Sequence, residues 1–159
     1  MLIAIAFFTT AQAQNSTGYA KKIAEKRFDS TSIPASFKNY KGTLIVSSDI
    51  KGKRGKKKLE NLMEGYEGKY EIVDAGKDLA QDFPNASKDQ FILHVNSGIG
   101  LSKGSGGIND NYSYLTVVLN LSNRFTKEEF KNAFNAADYW EISFKYLLDR
   151  LNAMLYQKN

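Results

Sequence analysis

Cysteine is absent from this 159-residue chain. That excludes disulfides, thiolate nucleophiles and cysteine-based metal sites. Proline occurs twice, at Pro34 and Pro84, and histidine once, at His94. With one histidine and no cysteine, a zinc site would have to be built from carboxylates, against the usual ligand chemistry. After residue 14 no apolar run approaches the ~20 residues that a spanning helix requires. The fold must therefore rest on its packed core alone, and the chain is long enough for one.

What is present is ordinary in bulk and uneven in placement. Hydrophobic residues make up 42% and charged residues 25%. The net charge is +5 and the pI about 9.2. A basic excess favours acidic partners: an anionic ligand, a membrane surface or another polyanion.

The first residues, Met1 to Phe8, are apolar, and Ala11-Gln12-Ala13 follows with the small-x-small spacing that a signal peptidase reads. The segment resembles a Gram-negative secretory signal, although no Lys or Arg precedes the apolar run. Residues 1–13 are therefore expected to be a signal peptide, and the product to be exported, periplasmic or secreted. Export makes nucleic acid a poor candidate partner. Residues 14–41 should form a short helix near Tyr19–Phe28 and a connector, with residues 42–159 forming one α/β domain.

Within that domain Thr43–Ser48 reads as a strand whose continuous apolar centre suits a sheet covered on both faces. Lys56–Tyr66 has helical spacing, with Leu59, Leu62, Met63 and Tyr66 on one side. Tyr70–Val73 is a second strand, Asp78–Phe83 a helical turn stopped by Pro84, and Phe91–Asn96 a third strand. Ser97–Tyr112 reads as a long Gly-rich loop leading to a fourth strand, Tyr114–Leu121. Thr126 with Glu129 spells a capping box. Phe130, Phe134, Ala137, Trp140, Phe144, Leu147, Leu151 and Met154 then predict a helix of about thirty residues by their three- and four-residue spacing. The expected architecture is β-α-β-β-β-α, a four-stranded mixed sheet with a long C-terminal amphipathic helix.

Two loops carry the candidate chemistry. In Lys51-Gly52-Lys53-Arg54-Gly55-Lys56-Lys57-Lys58 six of eight residues are cationic. Cations at a helix start oppose the macrodipole, whereas free N–H groups there attract anions. The run lacks the Ser or Thr of a P-loop. The Gly-rich loop leads into a strand, not a helix, so it is no dinucleotide fingerprint. If the first and third strands are parallel, both loops leave the carboxyl edge, where open α/β sheets bind ligands. Lys51, Lys53, Arg54, Lys56, Lys57 and Lys103 are then the candidate anion contacts, and Asp49 and Asn109 are further candidate contacts at the same edge. No cofactor or metal site and no catalytic residue is expected. Strand–helix–strand modules of this kind resemble accessory domains of envelope assemblies, which supplies the alternative of an adaptor docking on an envelope protein. A hydrolase would need an acid or nucleophile within hydrogen-bond reach of His94.

Overall fold

A computed structural model describes residue 22 and residues 33–86, 88–103, 111–134 and 140–156. Thr43–Ser48 forms β1, Lys53–Met63 α1, Lys69–Asp74 β2, Leu79–Asp82 α2, Phe91–Lys103 β3, Asn111–Asn123 β4, Glu129–Phe134 β5 and Trp140–Leu155 α3. The sheet order is β2-β1-β3-β4-β5. β1 is parallel to both β2 and β3, whereas β3–β4 and β4–β5 are antiparallel. The α/β class, the mixed sheet and the closing C-terminal helix are those expected. All four expected strands are present, and β5 adds a fifth at the edge. The signal-like segment and the helix expected near Tyr19–Phe28 lie outside the described residues, Lys22 apart.

Alternation divides the core. Leu44, Val46, Leu93, Val95, Val117, Leu119 and Leu121 face α1 and α3, where Leu59, Met63, Phe144, Leu147, Leu148 and Leu151 are buried. Ile45, Val73 and Ile92 face the other way and are covered by Phe83 and Leu79. α1 and α2 thus lie on opposite faces. The residues before the sheet also enter the core. Pro34 holds an extended backbone, a 3-10 turn follows at Ala35–Phe37, and the Phe37, Tyr40 and Phe91 rings meet at 4.9–5.3 Å. The Tyr40 hydroxyl donates to the carbonyls of Thr43 and Lys88, and burial pushes its pKa up to about 12. Gly42 is required here: a Cβ would run into the Lys88 carbonyl oxygen.

Three segments differ from the expected pattern. α1 begins at Lys53, not Lys56, because Gly52 turns the chain with a φ of 83°. The Gly-rich loop is mostly strand: β3 runs on through Gly98 and Gly100 to Lys103, pairing with β4 out to Asn111. The largest correction concerns Thr126–Phe134. Thr126 and Glu129 do not cap a helix. Asn123 accepts the N–H groups of Phe125 and Thr126, Lys127 takes a φ of 62°, and Glu129–Phe134 pairs with β4. The helix starts only at Trp140. A four-residue spacing such as Phe130 to Phe134 suits one face of a helix and equally one face of a strand.

Candidate functional site

β1 and β2 lie side by side and parallel, yet the chain leaves them towards opposite faces. After Ser48 it turns to α1; after Asp74 it turns at Ala75–Gly76 to α2. Such a divergence opens a crevice at the carboxyl ends of the strands. Two adjoining hollows, of about 230 and 310 Å³, occupy it. Ser48, Ile50, Lys56 and Asp74 border both. Ile50, Leu59 and Ile72 give one an apolar floor, and Lys51 and Gly52 line the other.

Local bonding fixes the walls. The Ser48 carbonyl accepts the Ala75 N–H at 2.8 Å, and its hydroxyl accepts the Ile50 N–H at 3.1 Å. Asp49 reaches across to the Ser97 N–H and so ties the end of β1 to β3. Lys56 Nζ stands 2.7 Å from Asp74 Oδ1. The Lys56 ammonium, assisted by Lys77, holds the Asp74 carboxyl below its usual range. Asp78 caps α2 through the Ala80 N–H, and Asp82 pairs with Lys77 at 3.4 Å. Asp74, Asp78 and Asp82 therefore each have a structural task.

The α1 start is unlike the α2 start. Gly52 offers no side-chain cap, and no acid occupies the first turn. Lys58 pairs with Glu141 and lies 5.8 Å from the Trp140 ring centroid. Lys51, Lys53, Arg54 and Lys57 are exposed and make no ion pair among the described residues. Unneutralised cations at an uncapped start combine positive charge with unused N–H donors.

The sequence-predicted contacts are thereby sorted. Lys51, Lys53, Arg54, Lys56 and Lys57 gather at one end of α1, although Lys56 is engaged by Asp74. β1 and β3 are parallel, so the hairpin does leave the same edge. It leaves as a two-stranded arm, however. β1 stops opposite Val95, and Lys103 lies eight residues further, about 26 Å along an extended strand. The arm thus carries Lys103 away from the α1 cluster, and Asn109 lies outside the described residues. Sequence reasoning missed Asp74, Glu60, Ile72 and Lys77 as crevice residues. The signal available was an acid closing one strand and a lysine opening the helix beside it.

His94 does meet a hydroxyl: its Nε2 is 3.0 Å from Ser122 Oγ. Burial pushes the imidazole below its ordinary value, opposed by the Glu129 carboxylate. His94 and Ser122 both sit in strands paired on either side, with β1 and β4 in one case and β3 and β5 in the other. Their backbones are thus engaged in the sheet on both sides. The contact is a cross-strand hydrogen bond.

No family model matches the chain, and no curated protein matches it in sequence. Among the solved structures to which the chain is similar are two at low identity. One is a PelC variant dodecamer from Paraburkholderia phytofirmans, 9% identical with a TM-score of 0.35, covering 75% of this chain and 91% of that one. The other is described as a neuraminyllactose-binding hemagglutinin homolog from Helicobacter pylori, also 9% identical, with a TM-score of 0.36, covering 76% of this chain and 86% of that one. No helix among the described residues is long and apolar enough to cross a membrane.

Proposed function

We propose that the chain is an exported, non-enzymatic binding protein whose partner is polyanionic. The partner is held at the start of α1 by Lys51, Lys53, Arg54 and Lys57, together with the free N–H groups of the first turn. The observation that carries this reading is the combination of four exposed cations, without an ion pair among the described residues, with a helix start that has no side-chain cap, beside the crevice that Lys51 and Gly52 line. Selection for stability alone would place Asp, Ser or Glu there. Export rests on the apolar segment ending in Ala11-Gln12-Ala13. Lys103, out on the arm, would extend the contact along a long polymer or a charged surface. At the crevice border Lys56 and Asp74 balance each other's charge, so the recognition is by the surrounding surface and is screened by salt over ~8–10 Å.

The test is retention on heparin and on anionic vesicles. The parent should bind, with elution at modest salt. Changing Lys51, Lys53, Arg54 and Lys57 together to Gln should abolish retention with the fold intact. Lys56→Gln alone should change retention less, because Lys56 already serves Asp74. A quadruple variant that binds like the parent would remove this reading and favour the adaptor role.

A further inference from the structure

The turn between β4 and β5 is held more firmly than a connection of this length requires. The Arg124 guanidinium donates to the carbonyls of Leu79 at 2.9 Å, Phe83 at 3.1 Å and Asp89 at 3.2 Å. Its backbone N–H donates to the Gln90 carbonyl at 2.7 Å. Asn123, itself 2% exposed, accepts the next two turn N–H groups, and Thr126 bonds Glu128. At the tip of this fixed frame stands Phe125, 73% exposed. Lys127 follows in a left-handed conformation that Gly or Asn would take more easily. An exposed aromatic ring carried on a backbone fixed in this way has the character of an interface anchor.

The same molecule carries a hollow large enough for such a ring. The hollow between α1 and the ends of β1 and β2 has a volume of about 230 Å³ and an apolar floor of Ile50, Leu59 and Ile72. A cavity of ~150 Å³ suffices for a benzene ring. The rims are complementary as well. Glu60 beside the hollow and Lys127 beside Phe125 are both exposed, and neither has an ion pair among the described residues. Ring and hollow lie at opposite ends of the sheet. The turn adjoins the start of β3, where Phe91 pairs with Asn123, whereas the hollow adjoins the ends of β1 and β2. Six residues of β1 separate the two levels by about 20 Å, so they cannot meet within one chain.

We infer that Phe125 of one copy seats in the α1–β1–β2 hollow of the next, with Lys127 against Glu60, joining copies head to tail. A contact between two different surfaces of the same chain repeats until it closes a ring or continues as a filament. A lipid anchor is the weaker occupant for this ring, because stable anchoring takes a second signal such as a basic patch. The basic cluster lies at the far end of the sheet. The inference is independent of the polyanion reading, which uses Lys51, Lys53, Arg54 and Lys57 and not the apolar floor. One ring with a charged rim is a small interface, so the association is weak and is sought at high protein concentration.

The absence of cysteine makes the test direct. Lys127→Cys and Glu60→Cys are prepared separately in the full chain and oxidised mildly, alone and mixed. Disulfide-linked dimers should form in the mixture and not in either variant alone. In sedimentation velocity, Phe125→Ser should weaken self-association by roughly 30-fold or more, as loss of an anchoring residue does. Lys127→Glu should weaken it too, and adding Glu60→Lys to the same chain should restore it. Each variant changes an exposed side chain and should melt with the parent. A parent that stays monomeric at its highest attainable concentration would overturn the inference. So would a Phe125→Ser variant that associates like the parent, a charge reversal without restoration, or linkage of 127 to 127 in place of 127 to 60.

Discussion

The two ends of the sheet treat their polar groups in opposite ways. At the β4–β5 turn Asn123 and Arg124 satisfy neighbouring N–H and carbonyl groups almost completely. At the start of α1 Gly52 offers no side-chain cap, and cations stand where the dipole disfavours them. The first end shows what this chain does when local stability governs the choice of residue. The second end, 11 residues of otherwise good amphipathic helix, departs from that standard only in its first turn. Departures of this kind concentrate at sites shaped by something other than folding.

The core between the two ends sets the scale for testing that contrast. Phe144 is fully buried under the sheet. Phe144→Ala should cost about 3–5 kcal/mol in urea melts, the range for a large-to-small change that leaves a cavity. The turn comes next. Arg124→Met removes donors from three carbonyls and should cost about 2–3 kcal/mol, because hydrogen bonds from a charged group exceed neutral ones. A loss below about 0.5 kcal/mol would show that the turn is not the well-secured end, and the comparison would fail on that side.

A smaller effect is expected with pH. The His94 pKa is lowered in the folded protein from its ordinary 6.5. Above pH 6.5 both folded and unfolded forms are neutral and His94 contributes nothing. As pH falls below 6.5 the unfolded chain takes the proton first, so stability declines until the folded value is passed. His94→Gln should remove that decline. Asp74 acts in a separate window: its folded pKa lies below 3.8, so its contribution is present above that value and is lost as pH falls through the lower folded one. Melting temperatures between pH 7 and 5 with and without His94 isolate the histidine, because the Asp74 contribution is constant across that interval.

How far the sequence could be read depended on whether a pattern had one meaning or two. Thr43–Ser48 was legible because a short apolar run opened by glycine suits little but a buried strand. Phe144 and Leu147 were legible because their spacing continues through sixteen helical residues, and both are buried as expected. The stretch before Trp140 was not, since Phe130 and Phe134 satisfy helical and strand periods alike. Its capping-box spelling was overridden by Asn123, whose side chain claims the turn N–H groups first. Gly98 and Gly100 read as loop because glycine weakens a strand. Pairing with the β-rich run from Tyr112 to Val117 nevertheless carries β3 onward. The cluster at α1 was visible from its charges. The crevice beside it was not, because Asp74, Ile72 and Lys77 reach it only through the parallel pairing of β1 with β2.

One variant sets stability against binding most directly. Lys53→Asp places an acid at the first helical position and removes one of the four unpaired cations. Two readouts on the same sample should then change in opposite directions. Urea melts should show stability raised by about 0.5–1 kcal/mol, the usual benefit of an acid at a helix N-terminus. Elution from heparin should move to lower salt. Unchanged elution, or a variant less stable than the parent, would contradict the claim that this helix start is kept basic for a polyanion at the expense of the fold.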